Sequence, residues 1–143
     1  MSLLVVDARV AVLWAMPSAS SQLTEPALRL LRRYGDREVE FVVPDLLWAE
    51  VANVLCKGVL QHRWRREDAE DSVAALTGYN FDTVPSLLLM EQALPIALNL
   101  GLALYDCLYV ALALQAKADL VTADERLANA MAARFPVKWL GAY

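Results

Sequence analysis

The chain has a single histidine, His62, and this scarcity narrows the chemistry that it can perform. Mechanisms that need two histidines, and metal sites built from a histidine cluster, are disfavoured. The two cysteines, Cys56 and Cys107, lie far apart and lack the spacing of metal ligands. Because both fall in apolar helical patterns, we expect small buried side chains in a reducing compartment, the cytoplasm.

An excess of basic charge is also missing. The formal net charge of the 143 residues is −4 at pH 7, which argues against a protein that coats nucleic acid by bulk charge. The charges are unevenly distributed, however, since most of the 13 Lys and Arg residues lie between positions 9 and 66. A basic face beside an acidic centre is compatible with a nuclease.

No long uninterrupted hydrophobic run is present, although 58% of the residues are hydrophobic. The stretch 93–116 contains one charged residue, Asp106, but Pro95 and Gly101 interrupt it. A central Asp costs roughly 2.5–3.5 kcal/mol in a bilayer. Two buried helices separated at Gly101 explain this stretch better, and we expect no contact with a membrane.

The apolar residues of segment 86–117 exceed what one small domain needs for its own core. This surplus predicts a homodimer that uses part of the segment. Tyr105 and Tyr109, one helical turn apart, are interpreted as core or dimer contacts.

Short apolar strands alternate with helices along the chain. Strands are predicted at 2–6, 39–43, 120–122 and 137–140, and residues 80–85 form a connection or a short edge strand. Helices are predicted at 10–16, 24–35, 46–61, 66–78, 86–100, 105–117 and 125–134. Asp45 is the expected cap of the third helix. The alternation predicts one domain, 1–143, of three-layer α/β/α architecture with a mainly parallel sheet.

Four acidic residues lie where an apolar run ends or in the helix that follows it. Asp7 and Asp124 follow strands, whereas Glu50 and Asp106 lie near the starts of helices. The carboxyl ends of parallel strands meet at the edge of the sheet where such folds bind ligands. Carboxylates gathered there need a cation, and oxygen ligands suit Mg²⁺ or Mn²⁺. The pattern therefore predicts a metal-dependent phosphodiesterase.

Each acid also has a structural explanation. Asp7, Asp106 and Asp124 could each stabilise the N-terminus of a helix. Glu50 could pair with Arg9, because an unpaired buried carboxylate is costly. The four acids taken together favour the metal site.

Other polar residues could support such a site. Asn53 shares a helix face with Glu50, and the hydroxyl of Thr122 could reach a water molecule or a phosphate. The basic turn 61–66 is either a solvated turn or a phosphate-binding patch whose Trp64 stacks on bases.

Four segments resemble the PIN-domain family, and within it the VapC-type toxins of toxin–antitoxin pairs. They comprise residues 5–8, 44–55, 104–113 and 120–127. The last two are the most specific, and the resemblance extends from residue 3 to about residue 140.

The resemblance implies a PIN-like fold and a Mg²⁺- or Mn²⁺-dependent endoribonuclease whose site acids are Asp7, Glu50, Asp106 and Asp124. The three aspartates would hold one or two metal ions, and Glu50 would orient or deprotonate the attacking water. It also implies an RNA substrate, a homodimer and a cognate antitoxin that occupies the active-site groove.

One position departs from the family pattern. Many members have Ser or Thr two residues after the first Asp, where this chain has Arg9. An arginine there could pair with a carboxylate, bind a phosphate or weaken metal binding. The alternative function is a catalytically silent PIN-like module that binds RNA or a protein, with the Arg9 guanidinium in the metal position.

Overall fold

The computed structural model describes residues 1–18 and 21–143. Ala19 and Ser20, which belong to a stretch that the sequence predicts as a polar loop, lie outside the described residues. The strands are β1 (Ser2–Val6), β2 (Val39–Pro44), β3 (Asp82–Val84), β4 (Asp119–Thr122) and β5 (Val137–Trp139). They form one sheet in the order β3-β2-β1-β4-β5, and each neighbouring pair is parallel.

Seven α-helices flank this sheet in the described part of the chain. They are α1 (Ala8–Ala15), α2 (Thr24–Gly35), α3 (Leu46–Leu60), α4 (Arg66–Thr77), α5 (Met90–Leu100), α6 (Leu104–Ala116) and α7 (Glu125–Met131). Helix α1 packs against α2, α3 and α4, whereas α6 packs against α5, β1 and β2. The predicted three-layer α/β/α architecture is confirmed. None of the helices in the described residues is long and apolar enough to cross a membrane.

The central strands are buried on both faces. Val5 and Val6 in β1 and Leu120 and Val121 in β4 are fully inaccessible to solvent. Strands covered by helices on both sides have continuous apolar runs of this kind, which explains why their positions could be predicted. Of the two alternatives for residues 80–85, the edge strand is correct, since β3 pairs with β2.

The region before α5 differs from the prediction. One helix was expected over 86–100, but the chain forms a 3-10 turn at Ser86–Leu88 before α5 begins. Asp45, the expected cap of α3, makes no capping hydrogen bond there. Its carboxylate instead accepts hydrogen bonds from the backbone N–H, at 2.9 Å, and the hydroxyl of Ser86. The prediction for Asp45 is therefore wrong, because Ser86 occupies its carboxylate.

Two further predictions concern Gly101 and the cysteines. Gly101 separates α5 from α6 as expected, in the left-handed conformation (φ 65°) that glycine adopts at helix ends. Cys107 is buried, as predicted, but Cys56 is exposed, and its predicted burial is wrong. Cys56 lies on the side of α3 that borders a groove between α3 and α4, so the apolar pattern around it does not correspond to core packing.

The strand order places a crevice at one point of the sheet. From β1 the chain proceeds to β2 and β3 on one side, and it then crosses back to place β4 on the other side of β1. Open parallel sheets bind ligands where the order reverses in this way, outside the carboxyl ends of the strands. In this sheet that point lies between the ends of β1 and β4.

Candidate active site

Asp7 lies directly after β1, at this crevice, and is only 2% exposed. One carboxylate oxygen, Oδ1, accepts a hydrogen bond from the backbone N–H of Val10 at 3.1 Å and so caps α1. The other oxygen, Oδ2, accepts the hydroxyl hydrogen bond of Thr122. Burial raises the pKa of Asp7 above its usual value, against the lowering effects of Thr122 and Arg9.

Thr122 joins the ends of β1 and β4. It is fully buried at the end of β4 and donates its hydroxyl hydrogen to Asp7. The same oxygen accepts the backbone N–H of Asp124 at 3.0 Å. Asp7 and Asp124 are therefore held in a fixed relation by one side chain.

Asp124 uses its two carboxylate oxygens for different purposes. Oδ1 accepts the backbone N–H groups of Arg126 at 3.0 Å and Leu127 at 3.3 Å, which caps α7. Oδ2 lies 3.5 Å from the guanidinium of Arg9. As in Asp7, the capping role and the contribution to the crevice involve separate oxygens, so the two sequence explanations are compatible.

Asp106, unlike Asp7 and Asp124, is not the N-cap residue of a helix. It lies in the first turn of α6, whose N-cap is Ala103, and no side-chain capping hydrogen bond is formed there. Its Oδ1 accepts a hydrogen bond from Arg9 at 3.3 Å, and its side chain is 22% exposed. The capping explanation does not account for this carboxylate.

Arg9 brings the three aspartates together. Its Nη1 lies 3.4 Å from Oδ2 of Asp7 and 3.3 Å from Oδ1 of Asp106, and its Nη2 lies 3.5 Å from Oδ2 of Asp124. Burial lowers the pKa of Arg9, but the three carboxylates outweigh burial and raise it. Glu50 was one expected partner of Arg9, whereas the ion pairs of Arg9 in the described structure are with the three aspartates.

Glu50 is bound by Tyr109, which the sequence indicates only as a core or dimer contact. Tyr109, which is 2% exposed, donates its hydroxyl hydrogen to Oε1 of Glu50 at 2.6 Å. Burial and the neighbouring Glu50 carboxylate raise the pKa of Tyr109 far above its usual value, so it remains a donor. Its position three residues after Asp106, on the same face of α6, was the available signal.

These side chains line a groove of about 360 Å³. Asp7, Arg9, Glu50, Asp106 and Tyr109 all border it. The predicted supporting residue Asn53 also lines the groove, whereas Thr122 lies buried behind it. A larger groove of about 540 Å³ between α3 and α4 is lined mainly by apolar side chains and contains none of the four acids.

The basic turn 61–66 has a packing role. A Cβ atom at Gly58 would lie 2.1 Å from the ring of Trp64, so the indole rests directly on the α3 backbone. The guanidinium of Arg63 lies 5.0 Å from the centre of the same ring. Trp64 therefore packs onto α3 and closes the turn to α4, whereas phosphate binding and base stacking at residues 61–66 stay predictions.

The donors of the cluster suit a divalent cation. Carboxylate oxygens are the preferred protein ligands of Mg²⁺ and Mn²⁺, and Asp7, Asp106 and Asp124 already surround a positive charge. Within the described residues, however, no three His, Cys, Asp or Glu side chains are spaced to hold a metal ion. The guanidinium of Arg9 lies among the three carboxylates.

A comparison with protein-family models finds one family for most of the chain. The family model described as the PIN domain matches residues 4–132. No curated protein matches the chain at a significant level.

Solved structures of other proteins share this fold, among them the following three. A crystal structure of PAE2754 from Pyrobaculum aerophilum has a TM-score of 0.73 at 19% identity, covering 99% of this chain and 85% of that one. A toxin–antitoxin complex from Klebsiella pneumoniae gives 0.63 at 15% identity, with 96% of both chains covered. VapC20 of Mycobacterium tuberculosis, described as a toxin that cleaves the sarcin–ricin loop, gives 0.65 at 14% identity, covering 92% and 95%.

Proposed function

Because this chain belongs to the PIN-domain family, we propose that it is a Mg²⁺- or Mn²⁺-dependent endoribonuclease that acts in the cytoplasm. We further propose that it is the VapC-type toxin of a type II toxin–antitoxin system. The observation that supports the activity best is the convergence of Asp7, Asp106 and Asp124, from three separate elements, on one positive charge. The similarity to VapC20 and to a toxin–antitoxin complex supports the toxin role.

The three aspartates would hold the metal. When bound, the metal ion would activate a water molecule and neutralise charge on the scissile phosphate. Asp7 and Asp124 would present their Oδ2 atoms, since backbone N–H groups of the capped helices engage their Oδ1 atoms. The Oδ2 atom of Asp7 would bind the metal while it also accepts the hydroxyl of Thr122. Thr122 would hold the Asp7 carboxylate in a fixed position relative to the backbone of Asp124.

Glu50 would act on the attacking water. The hydroxyl of Tyr109 fixes Oε1, so Oε2 can accept the proton of a water molecule in the groove. Asn53, exposed on the next turn of α3, would help to hold that water.

RNA cleavage by the purified protein tests this activity. We expect cleavage with Mg²⁺ and none with EDTA. Asp106→Asn should lose activity about 100-fold or more, because it removes a proposed metal-binding carboxylate, and it should keep its fold, because Asp106 caps no helix. Asp68→Asn, at an exposed position of α4, is the matched control and should cleave normally. Full activity in Asp106→Asn would contradict the proposed site, and sequencing of the RNA ends would define the cleavage position.

Arg9 favours one alternative, a catalytically silent PIN-like module that binds RNA or a protein. Its guanidinium would then occupy the metal position permanently. A Mn²⁺ titration separates the two functions: a rise in melting temperature that disappears in Asp7→Asn supports the metal site, and no response supports the silent module.

The proposed homodimer rests on exposed apolar side chains near α5. Leu94 and Leu98, four residues apart, are 50% and 73% exposed and lie on one face. The same segment exposes Leu87, Leu88, Met90 and Tyr105. Exposed apolar patches of this kind commonly form interfaces.

Sedimentation at micromolar concentration tests the dimer. The wild-type chain should sediment as a dimer and the double variant Leu94→Glu/Leu98→Glu as a monomer. Leu60→Glu, which changes an equally exposed leucine on α3, should remain dimeric. A monomeric wild type would contradict the proposal.

An antitoxin would occupy the active-site groove and block it. We expect the cognate antitoxin protein to bind this chain and to suppress RNA cleavage. A partner that binds without affecting cleavage would contradict this role.

A further inference from the structure

We infer that Arg9 is an internal competitor of the divalent cation, so that the guanidinium and the metal ion exclude each other from the same three carboxylates. The inference rests on the proposed function, because it takes these carboxylates as the metal ligands. In one state of the protein the Arg9 guanidinium neutralises the three carboxylates, and a metal ion must displace it to bind.

The geometry makes the two occupants exclusive. The guanidinium nitrogens of Arg9 lie 3.3–3.5 Å from one oxygen each of Asp7, Asp106 and Asp124. Mg²⁺ needs its oxygen ligands at about 2.0–2.1 Å, in nearly octahedral geometry. Three carboxylates spread around a planar guanidinium cannot also converge on a small ion. Metal entry therefore requires Arg9 to leave.

The electrostatics explain why Arg9 stays when metal is absent. Asp7 is almost fully buried, and the carboxylates of Asp106 and Asp124 lie within reach of the same guanidinium. Like charges gathered at a partly buried site repel each other, and a guanidinium can donate to several carboxylates at once. A serine at position 9 would give no such neutralisation. Arg9 therefore neutralises the three carboxylates whenever a metal ion does not.

Arg9 has room to leave without unfolding its helix. Its side chain is 46% exposed, and it lines the groove that also contains Glu50 and Tyr109. A rotation of the side chain toward water breaks the three ion pairs while the α1 backbone and the Asp7 cap remain in place. The released guanidinium would then lie at the groove, where an RNA phosphate binds in the proposed function.

Mn²⁺ binding, measured by electron paramagnetic resonance and calorimetry without RNA, tests the competition. We expect Arg9→Ser to bind Mn²⁺ about tenfold more tightly than the wild type or better, because no ion pair has to break. Arg9→Lys keeps one positive charge but cannot donate to three carboxylates in a fixed geometry, so its affinity should be intermediate. Arg29→Ser removes the same charge at an exposed position of α2 and should bind like the wild type.

Melting in EDTA gives a second readout that needs no metal. Arg9→Ser should melt about 5 °C below the wild type, since three carboxylates lose their cation, and saturating Mn²⁺ should restore or exceed the wild-type value. If Arg9→Ser does not fold in EDTA, the ranking of wild type and Arg9→Lys for Mn²⁺ decides the question.

The outcomes separate this inference from the proposed activity. Equal Mn²⁺ affinity in the wild type, Arg9→Lys and Arg9→Ser would overturn the competition, even if the wild type cleaves RNA with Mg²⁺. Tighter Mn²⁺ binding by Arg9→Ser would support the competition, even if no variant cleaves RNA.

Discussion

Two aspartates in this chain each follow a buried parallel strand directly, and they have different surroundings. Asp7, after β1, is 2% exposed and contacts Thr122 and Arg9. Asp45, after β2, is exposed, and its carboxylate binds Ser86. We refer to the first region, with Thr122 and Asp124, as the β1–β4 edge, and to the second, with Ser86, as the β2–β3 edge.

The topology of the sheet accounts for the difference. Strands β1 and β4 are neighbours without a direct connection, so no linking segment covers the crevice between their ends. At the β2–β3 edge the chain folds back over the strand ends: the backbone N–H of Asp45 donates to the carbonyl of Val84 at 2.9 Å, and a 3-10 turn follows at Ser86–Leu88. The Asp7 carboxylate therefore borders the groove, whereas one oxygen of the Asp45 carboxylate is engaged by Ser86.

The largest expected effect comes from a matched pair of amide substitutions. Asp7→Asn should lower RNA cleavage at least about 100-fold, because an amide keeps the acceptor that caps α1 but removes the metal-binding charge. Asp45→Asn should cleave RNA at the wild-type rate. Both variants should show native circular dichroism. Equal losses in the two variants would mean that the edges do not differ in function.

A pair of threonine substitutions compares the structural importance of the two edges. Thr122→Val removes the hydroxyl that binds Asp7 and the backbone of Asp124, and we expect the free energy of unfolding to fall by about 1–3 kcal/mol. Thr83→Val, on β3, removes an exposed hydroxyl that contacts Phe81 and Trp48. This substitution should change the free energy of unfolding by less than about 0.5 kcal/mol.

Urea denaturation of both threonine variants measures this difference. If Thr83→Val were as destabilising as Thr122→Val, the polar contacts of the β1–β4 edge would have no special role in the fold.

A smaller effect is expected from a tyrosine on α6. Tyr109→Phe removes the hydrogen bond to Glu50 and should lower the free energy of unfolding by about 1 kcal/mol. In the proposed function it should also lower kcat more than it raises KM, since Glu50 loses its orientation. Tyr105→Phe, at a position 60% exposed, is the control and should leave both quantities unchanged. A change confined to KM would indicate that Tyr109 serves RNA binding.

The sequence was sufficient for features that depend on local pattern. The continuous apolar runs around Val5 and Leu120 identified the central strands, because burial on both faces leaves no polar alternation. The cap positions of Asp7 and Asp124 were also predictable, since an aspartate before a helix satisfies the first free backbone N–H groups. Asp45 has the same local pattern, and the same reasoning gave the wrong result there.

The features that the sequence did not reveal depend on partners far along the chain. Ser86 binds Asp45 across 41 residues, and Tyr109 binds Glu50 across 59. Thr122 was considered as a possible supporting residue, but its contact with Asp7, 115 residues away, depends on the pairing of β1 with β4. The position of Tyr109 beside Asp106 on α6 indicates a place near the site, but its bond to Glu50 on α3 depends on how the two helices pack.

The smallest expected effect concerns the pH dependence of the β2–β3 edge. The hydroxyl and backbone N–H of Ser86 hold the pKa of Asp45 below its usual value. A carboxylate whose pKa is lower in the folded state stabilises the fold above its unfolded pKa, about 3.9, and this contribution is lost as the pH falls through the folded pKa. Wild type should therefore exceed Asp45→Asn in free energy of unfolding at pH 7 and lose this advantage below about pH 4.

The difference should stay below about 0.5 kcal/mol, because Asp45 is exposed and its hydrogen bonds compete with water. Urea denaturation of both proteins between pH 3 and pH 7 measures it, with Asp68→Asn as the exposed control that should show no such convergence. A gap that widens in acid would show that Asp45 is not bound as a carboxylate by Ser86. The two edges would then differ more than their geometry indicates, since only Asp7 would be held at its strand end by hydrogen bonds to its carboxylate.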